Sequence, residues 1–235
     1  MSWQKNSMGS SLADGDSGLA LRVWLAGLAT TVLALVCTFG HNVNFAALKM
    51  AASSGFIITS LLAGATQTVY GRWLLAGLAF SWWGDFFLLN GSQMSFVTGL
   101  ISFLIGHVCY TVAFWQYDSR KDIALGGLAV LVLPAALLIS ALWPNVAPNL
   151  RVPVVAYTAV ISVMLALSFG TWQKPGFILI IVGALAFYVS DICVARGSFG
   201  KQEAINGQIG LPLYFIGQVL LAASAAYVDP DEMRE

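Results

Sequence analysis

Lys49, Asp85, His107 and Asp191 all stand inside runs of apolar residues. An ionisable group in hydrocarbon is expensive unless it is partnered, so each of the four is a functional candidate by default. If these runs are helical, Ser81 and Asp85 share one face at i, i+4, and Phe103, His107 and Tyr110 share another at i, i+4, i+7. Tyr188 and Asp191 pair at i, i+3, with Ser190 beside them, and Tyr214 pairs with Gln218 at i, i+4. Two carboxylates in one poorly solvated pocket supply a proton donor and a negative charge, because neighbouring like charges do not both ionise comfortably. The plain alternative is that each aspartate accepts hydrogen bonds and merely fastens a bundle. Ser or Thr would do that at lower cost, which favours chemistry. His107 fits either packing or a direct role. Tyr110, Tyr157, Tyr188 and Tyr214 fit burial with one satisfied hydroxyl as well as they fit a binding role. Lys49 either snorkels to an interface or meets an anionic head group.

The elements that must position these groups are membrane helices. Of 235 residues 58% are hydrophobic and 9% charged, against about a quarter charged in soluble domains. A hydrocarbon core of roughly 30 Å takes about 20 apolar residues as a helix, the form that satisfies its own backbone hydrogen bonds in lipid. On that ruler the chain divides into eight spans near residues 21–39, 44–62, 72–90, 95–117, 123–143, 152–170, 177–196 and 211–228. The connectors carry turn residues, such as Asn90-Gly91-Ser92 and Lys174-Pro175-Gly176. The segment 197–210 is the one connector long enough for a lid. Residues 1–20, rich in Ser, Gly and Asp, read as a disordered tail without a signal peptide, and 229–235 as a polar tail.

An internal repeat relates the two acids. Residues 77–85 align without gaps on 183–191, and 103–108 on 214–219, at offsets of 106 and 111 residues. A shift of four spans preserves helix direction. The expected fold is therefore an all-α, multi-pass transmembrane bundle of about eight helices in a single domain (21–228), made of two parallel four-helix pseudo-repeats (21–117 and 123–228). Folding the halves together would bring Asp85 and Asp191 to one depth, in a pocket ringed by His107, Tyr110, Tyr214 and Gln218.

Composition also excludes. Lys+Arg and Asp+Glu both total 11, so no basic field exists to hold nucleic acid. Cys37, Cys109 and Cys193 lie in apolar runs without disulfide spacing. With two histidines, one subunit cannot build a three-histidine zinc site, and neither a metal nor any other cofactor is expected. With eight spans both termini share a side. That side gathers Lys5, Arg22, Arg72, Arg120, Lys121, Lys174 and Arg234, against Lys49, Arg151, Arg196 and Lys201 on the other, which predicts cytoplasmic termini.

The order Gly84-Asp85, then Phe96-x2-Gly99-x3-Phe103-x2-Gly106-His107-x2-Tyr110, then Ser190-Asp191 and Tyr214-x3-Gln218 resembles the YhhN-like lysoplasmalogenase family of eight-span membrane proteins, over nearly all the chain beyond the tail. The resemblance implies hydrolysis of the vinyl ether bond of lysoplasmalogens, with choline or ethanolamine head groups, to a fatty aldehyde and a glycerophospho-head group. It implies Asp85 and Asp191 as the catalytic pair, a lysophospholipid substrate drawn from the surrounding lipids, and a bacterial cell membrane or eukaryotic endoplasmic reticulum as the host. Lys49 stands where the family usually shows Lys-Pro, with Met50 in place of the proline. A vinyl ether is cleaved by protonating its terminal alkene carbon, which gives an oxocarbenium ion that water captures. Glycosidases meet the same ion with two carboxylates.

Three other readings compete. A proton-coupled transporter also uses repeat-related acids, but carriers often break their helices at the site, and no proline interrupts the third or seventh span. An intramembrane aspartyl protease would need glycine where Trp82 stands. A lipid-binding scaffold would tolerate loss of both acids.

Overall fold

The computed structural model describes residues 5–117, 119–200 and 203–228, with side chains from residue 18 onward. Eight α-helices follow one another among them: α1 (Lys5–Phe39), α2 (Phe45–Leu62), α3 (Val69–Leu88), α4 (Gln93–Gln116), α5 (Lys121–Leu142), α6 (Arg151–Gly170), α7 (Phe177–Phe199) and α8 (Ala204–Ser224). Short polar residues start three of them. Asn44, Thr68 and Ser92 each accept a hydrogen bond from the backbone N–H three residues on, satisfying a donor that the first helical turn leaves free. Before α7 the turn needs a left-handed residue, and Gly176 supplies it at φ 72°.

Seven helices are long and apolar enough to cross a membrane. The exception is α3, which carries Arg72, Asp85, Tyr70 and three tryptophans in 20 residues. It still traverses the bundle, because the starts of α2 and α4 lie at the same end, where Lys49 and Phe96 line one cavity. The exposed Trp73, Phe80, Trp83 and Phe86 give α3 an aromatic outer face suited to lipid. Two expectations change. The connector 197–210 is not a lid, since α7 continues through Gly197 to Phe199 and α8 starts at Ala204. The apolar first span starts at Gly18, and helical backbone precedes it from Lys5. The rest of the predicted N-terminal tail, residues 1–4, and the C-terminal tail lie outside the described residues.

Packing follows a closed circuit: α2 on α3, α3 on α4, α4 on α6, α6 on α7, α7 on α8, and α8 back on α2. Exchanging the halves maps this circuit onto itself. The outer helices break the symmetry: α1 packs on both α2 and α8, whereas α5 packs on α6 and touches α7, with no comparable packing on α4.

Lipid is as apolar as leucine, so helices here are joined by close packing and hydrogen bonds rather than by exclusion of water. Glycines set the closest approaches. A Cβ on Gly106 would lie 3.1 Å from the Gly77 carbonyl, and one on Gly217 would lie 2.8 Å from the Gly183 carbonyl. Gly77 and Gly183, like Gly106 and Gly217, are partners under the sequence offsets, so the α3–α4 and α7–α8 crossings share a register.

Gly217→Val should therefore force α7 and α8 apart and lower stability by roughly 1–3 kcal/mol, measured by thermal unfolding in detergent. Gly126→Ala on α5, where a new Cβ meets nothing within 4 Å, should leave the transition unchanged or slightly raised.

Candidate active site

Asp85 lies one turn before the end of α3. Gly84 beside it leaves room for the Phe103 ring, which a Cβ there would meet at 2.5 Å. Three donors hold the carboxylate. Ser53 of α2 and Tyr214 of α8 each donate to Oδ2 at 2.6 Å, and the Lys49 ammonium lies 3.1 Å from Oδ1. The Lys49 and Asp85 side chains are 8% and 2% exposed. Ser53 and Lys49 fall on one face of α2 at i, i+4, which brings both to the same acid.

Asp191 sits in the last two turns of α7 and is held differently. Tyr157 of α6 donates its hydroxyl to Oδ2 at 2.8 Å, and His107 Nε2 of α4 lies 2.9 Å from the same oxygen. Oδ1 takes part in none of these bonds, and the side chain, 16% exposed, opens on a cavity. No lysine or arginine pairs with Asp191 among the described residues.

A duplicated plan underlies both sites. The second helix of each half supplies a hydroxyl to its own acid, Ser53 to Asp85 and Tyr157 to Asp191. The fourth helix reaches across to the acid of the other half, Tyr214 to Asp85 and His107 to Asp191. The carboxylates do not hydrogen-bond one another among the described residues. Phe187 stands edge-on between their holders, with ring centroids 4.6 Å from His107 and 5.2 Å from Tyr214. A single proton shared directly between two touching acids is therefore replaced by two separate clamps.

Both acids nevertheless line one cavity of about 750 Å³, within the range of small-molecule sites. Its wall is mostly apolar. Lys49, Tyr157, Tyr188, Ser190 and Tyr214 line it with the acids, but His107, Tyr110 and Gln218 do not. They stand behind the wall because their polar atoms turn inward: His107 to Asp191, and Tyr110 to Gln218 Oε1 at 2.8 Å and Ser81 at 3.3 Å. Ser53 and Phe187 escape the sequence reading altogether. One serine and one phenylalanine among many carry no signal beyond the i, i+4 spacing of Ser53 from Lys49. The lining residues come from the ends of α1, α3, α5 and α7 and the starts of α2, α4, α6 and α8. The cavity thus occupies the end of the bundle opposite the described chain ends.

Residues 44–225 match the YhhN family. Among curated proteins, the lysoplasmalogenase TMEM86A of Bos taurus is 29% identical over 159 residues, 65% of this chain and 64% of its own length. A lysoplasmalogenase of Mycobacterium bovis is 30% identical over 193 residues, 79% of this chain and 71% of its own. The match thus spans just under two thirds of the bovine relative. No solved structure matches.

The Lys49–Asp85 pair has a testable consequence. Asp85→Leu leaves a buried ammonium without its partner and should lower stability by about 3–5 kcal/mol, whereas Lys49→Met/Asp85→Leu, which removes both charges, should recover most of it. Thermal unfolding in detergent reads both, with Lys49→Met as the second single variant; a double-variant loss equal to the sum of the two single losses would mean that the pair is not coupled.

Proposed function

The chain belongs to the YhhN family, and from that premise we propose that it is a membrane lysoplasmalogenase, cleaving the vinyl ether of 1-alkenyl lysophospholipids by acid catalysis from Asp191. The observation that supports this reading is the asymmetry of Asp191: Tyr157 and His107 both meet Oδ2, Oδ1 takes part in neither bond, and the residue lines an apolar cavity. A protonated Oδ1 gives its hydrogen to the alkene carbon remote from oxygen. The double bond's electron pair forms the new C–H bond, and the adjacent carbon and ether oxygen share the positive charge. Water adds to that carbon and loses a proton to the Asp191 carboxylate. The resulting hemiacetal then collapses: its hydroxyl loses a proton, the bond to the glycerol oxygen breaks, and that oxygen takes up a proton. A fatty aldehyde and a glycerophospho-head group leave.

Asp85 supplies fixed negative charge. Three donors already surround its carboxyl group, which supports a role in stabilising the cation over one in proton transfer. Lys49 lines the cavity, and its ammonium has two hydrogens beyond the one that Asp85 takes. A substrate phosphate that engages them draws Lys49 partly away from Asp85, whose charge then faces the developing oxocarbenium ion. Tyr188 and Ser190 line the same cavity.

With the basic residues gathered at the end of the termini, the cavity opens toward the non-cytoplasmic leaflet. A protease-cleavable C-terminal tag should be cut in inside-out vesicles and protected in right-side-out ones; the reverse pattern would invert this orientation.

Purified protein incubated with choline or ethanolamine lysoplasmalogen should release long-chain aldehyde, read by mass spectrometry. Asp191→Asn should abolish release, and Asp85→Asn should reduce kcat at least 10²-fold. Wild-type turnover by Asp191→Asn would sink the mechanism, and substrate flux into sealed vesicles without bond cleavage would favour a transporter.

A further inference from the structure

We infer that His107 is a positioning residue of this reaction: with Tyr157 it occupies Oδ2 of Asp191, so that the transferable proton resides on Oδ1, and it receives the charge that proton transfer leaves behind. The inference rests on the lysoplasmalogenase reading and deepens it.

His107 is fully buried and does not line the cavity, so it reaches substrate only through Asp191. Its Nε2 lies 2.9 Å from Asp191 Oδ2 and 3.0 Å from the Tyr157 hydroxyl, while Tyr157 itself donates to Oδ2. With the acceptor Oδ2 nearest, Nε2 is the nitrogen that carries hydrogen. Nδ1 is buried without a hydrogen-bond partner among the described residues. A bare lone pair is the cheaper state there, because an N–H or a second positive donor would lose its hydrogen bond to water with no replacement. The imidazole therefore presents its Nε2–H to Asp191, with edge contacts to Phe187 at 4.6 Å and Tyr157 at 5.1 Å.

Two donors on Oδ2 make that oxygen the poorer base of the carboxyl group, which leaves Oδ1 to hold the proton where the cavity begins. Once the proton moves to carbon, the same two hydrogen bonds face a full carboxylate and strengthen. They are thus worth more in the transition state than in the resting acid, and such an interaction raises kcat without changing KM.

The other half of the molecule offers the control. Gln218 occupies the place of His107 in the repeat, and a glutamine Nε2 extends about as far from the backbone as a histidine Nε2. His107→Gln keeps a neutral donor toward Oδ2, and His107→Ala removes it.

Steady-state kinetics of the purified full chain on choline lysoplasmalogen should give a loss in kcat of roughly 10²–10³-fold for His107→Ala, with KM within about twofold of wild type. Tyr157→Phe should lose less, roughly tenfold, and His107→Gln should recover to within roughly tenfold of wild type. A raised KM with kcat intact in His107→Ala would mean that His107 grips the substrate and would overturn the inference. So would a glutamine variant that folds with wild-type thermal stability yet is as slow as alanine. Wild-type protein that releases no aldehyde from either lysoplasmalogen overturns the lysoplasmalogenase reading itself and the inference with it.

Discussion

A carboxylate buried in a lipid-embedded bundle must find its donors on other helices, because its own backbone has none to spare. Asp85 on α3 finds them on α2 and α8, and Asp191 on α7 finds them on α4 and α6. Two acids therefore tie together all six helices of the closed circuit. The two helices outside it, α1 and α5, contribute nothing to either clamp. The groups proposed to carry the chemistry are the same groups that fix which helices are neighbours, so the fold's polar fasteners and its candidate site are one set of atoms.

Duplication explains the plan, and divergence explains the work. Each half gives its acid a hydroxyl from its second helix and lends its fourth helix to the other acid. Among the described residues a lysine pairs with Asp85 and none with Asp191, and an imidazole holds Asp191 and not Asp85. The difference separates the states of two like groups without their touching. Asp85 is ringed by three donors, one of them a cation, whereas Asp191 meets its two partners through Oδ2 alone, a contrast that supports the different roles proposed for them. Two environments thus give two roles, as in enzymes that place one carboxyl among polar partners and another against apolar walls.

Much of this was legible in the sequence, for physical reasons that also mark where legibility stops. Span number follows from bilayer thickness, and even α3, whose tryptophans and charges lower its apolar content, is long enough to be counted on that ruler. The offsets that pair Asp85 with Asp191 also pair Gly77 with Gly183 and Gly106 with Gly217, and these glycines make the same close approach twice. A motif dictated by backbone contact survives duplication because a Cβ would break it. Side-chain direction is less legible. Helical spacing puts His107 and Tyr110 on a shared face but does not say whether that face meets the cavity or the wall behind it, and the wall was the outcome. Nor does spacing indicate that a phenylalanine separates the two holders. The segment 197–210 was misjudged because Gly197 and Gly200 suggest a loop, whereas the helix runs past the first to bury its end near Val97 and Leu138.

The Lys49–Asp85 pair is the feature that stability alone explains least. A well-packed apolar replacement of a buried ion pair is often neutral or stabilising even in water-soluble proteins, and hydrocarbon makes desolvation harsher still. Asp191, at the equivalent position and more exposed, is held by a hydroxyl and an imidazole and pairs with no lysine or arginine among the described residues. Lys49 itself lines the cavity that both acids share. What a cation at that position adds is attraction for an anion arriving from outside, and a lysophospholipid brings one on the carbon next to the glycerol's central position, two carbons from the bond to be cleaved. On the lysoplasmalogenase reading proposed above, holding that phosphate would fix the vinyl ether's distance from Asp191, and the ion pair would set the reacting carbon against that acid.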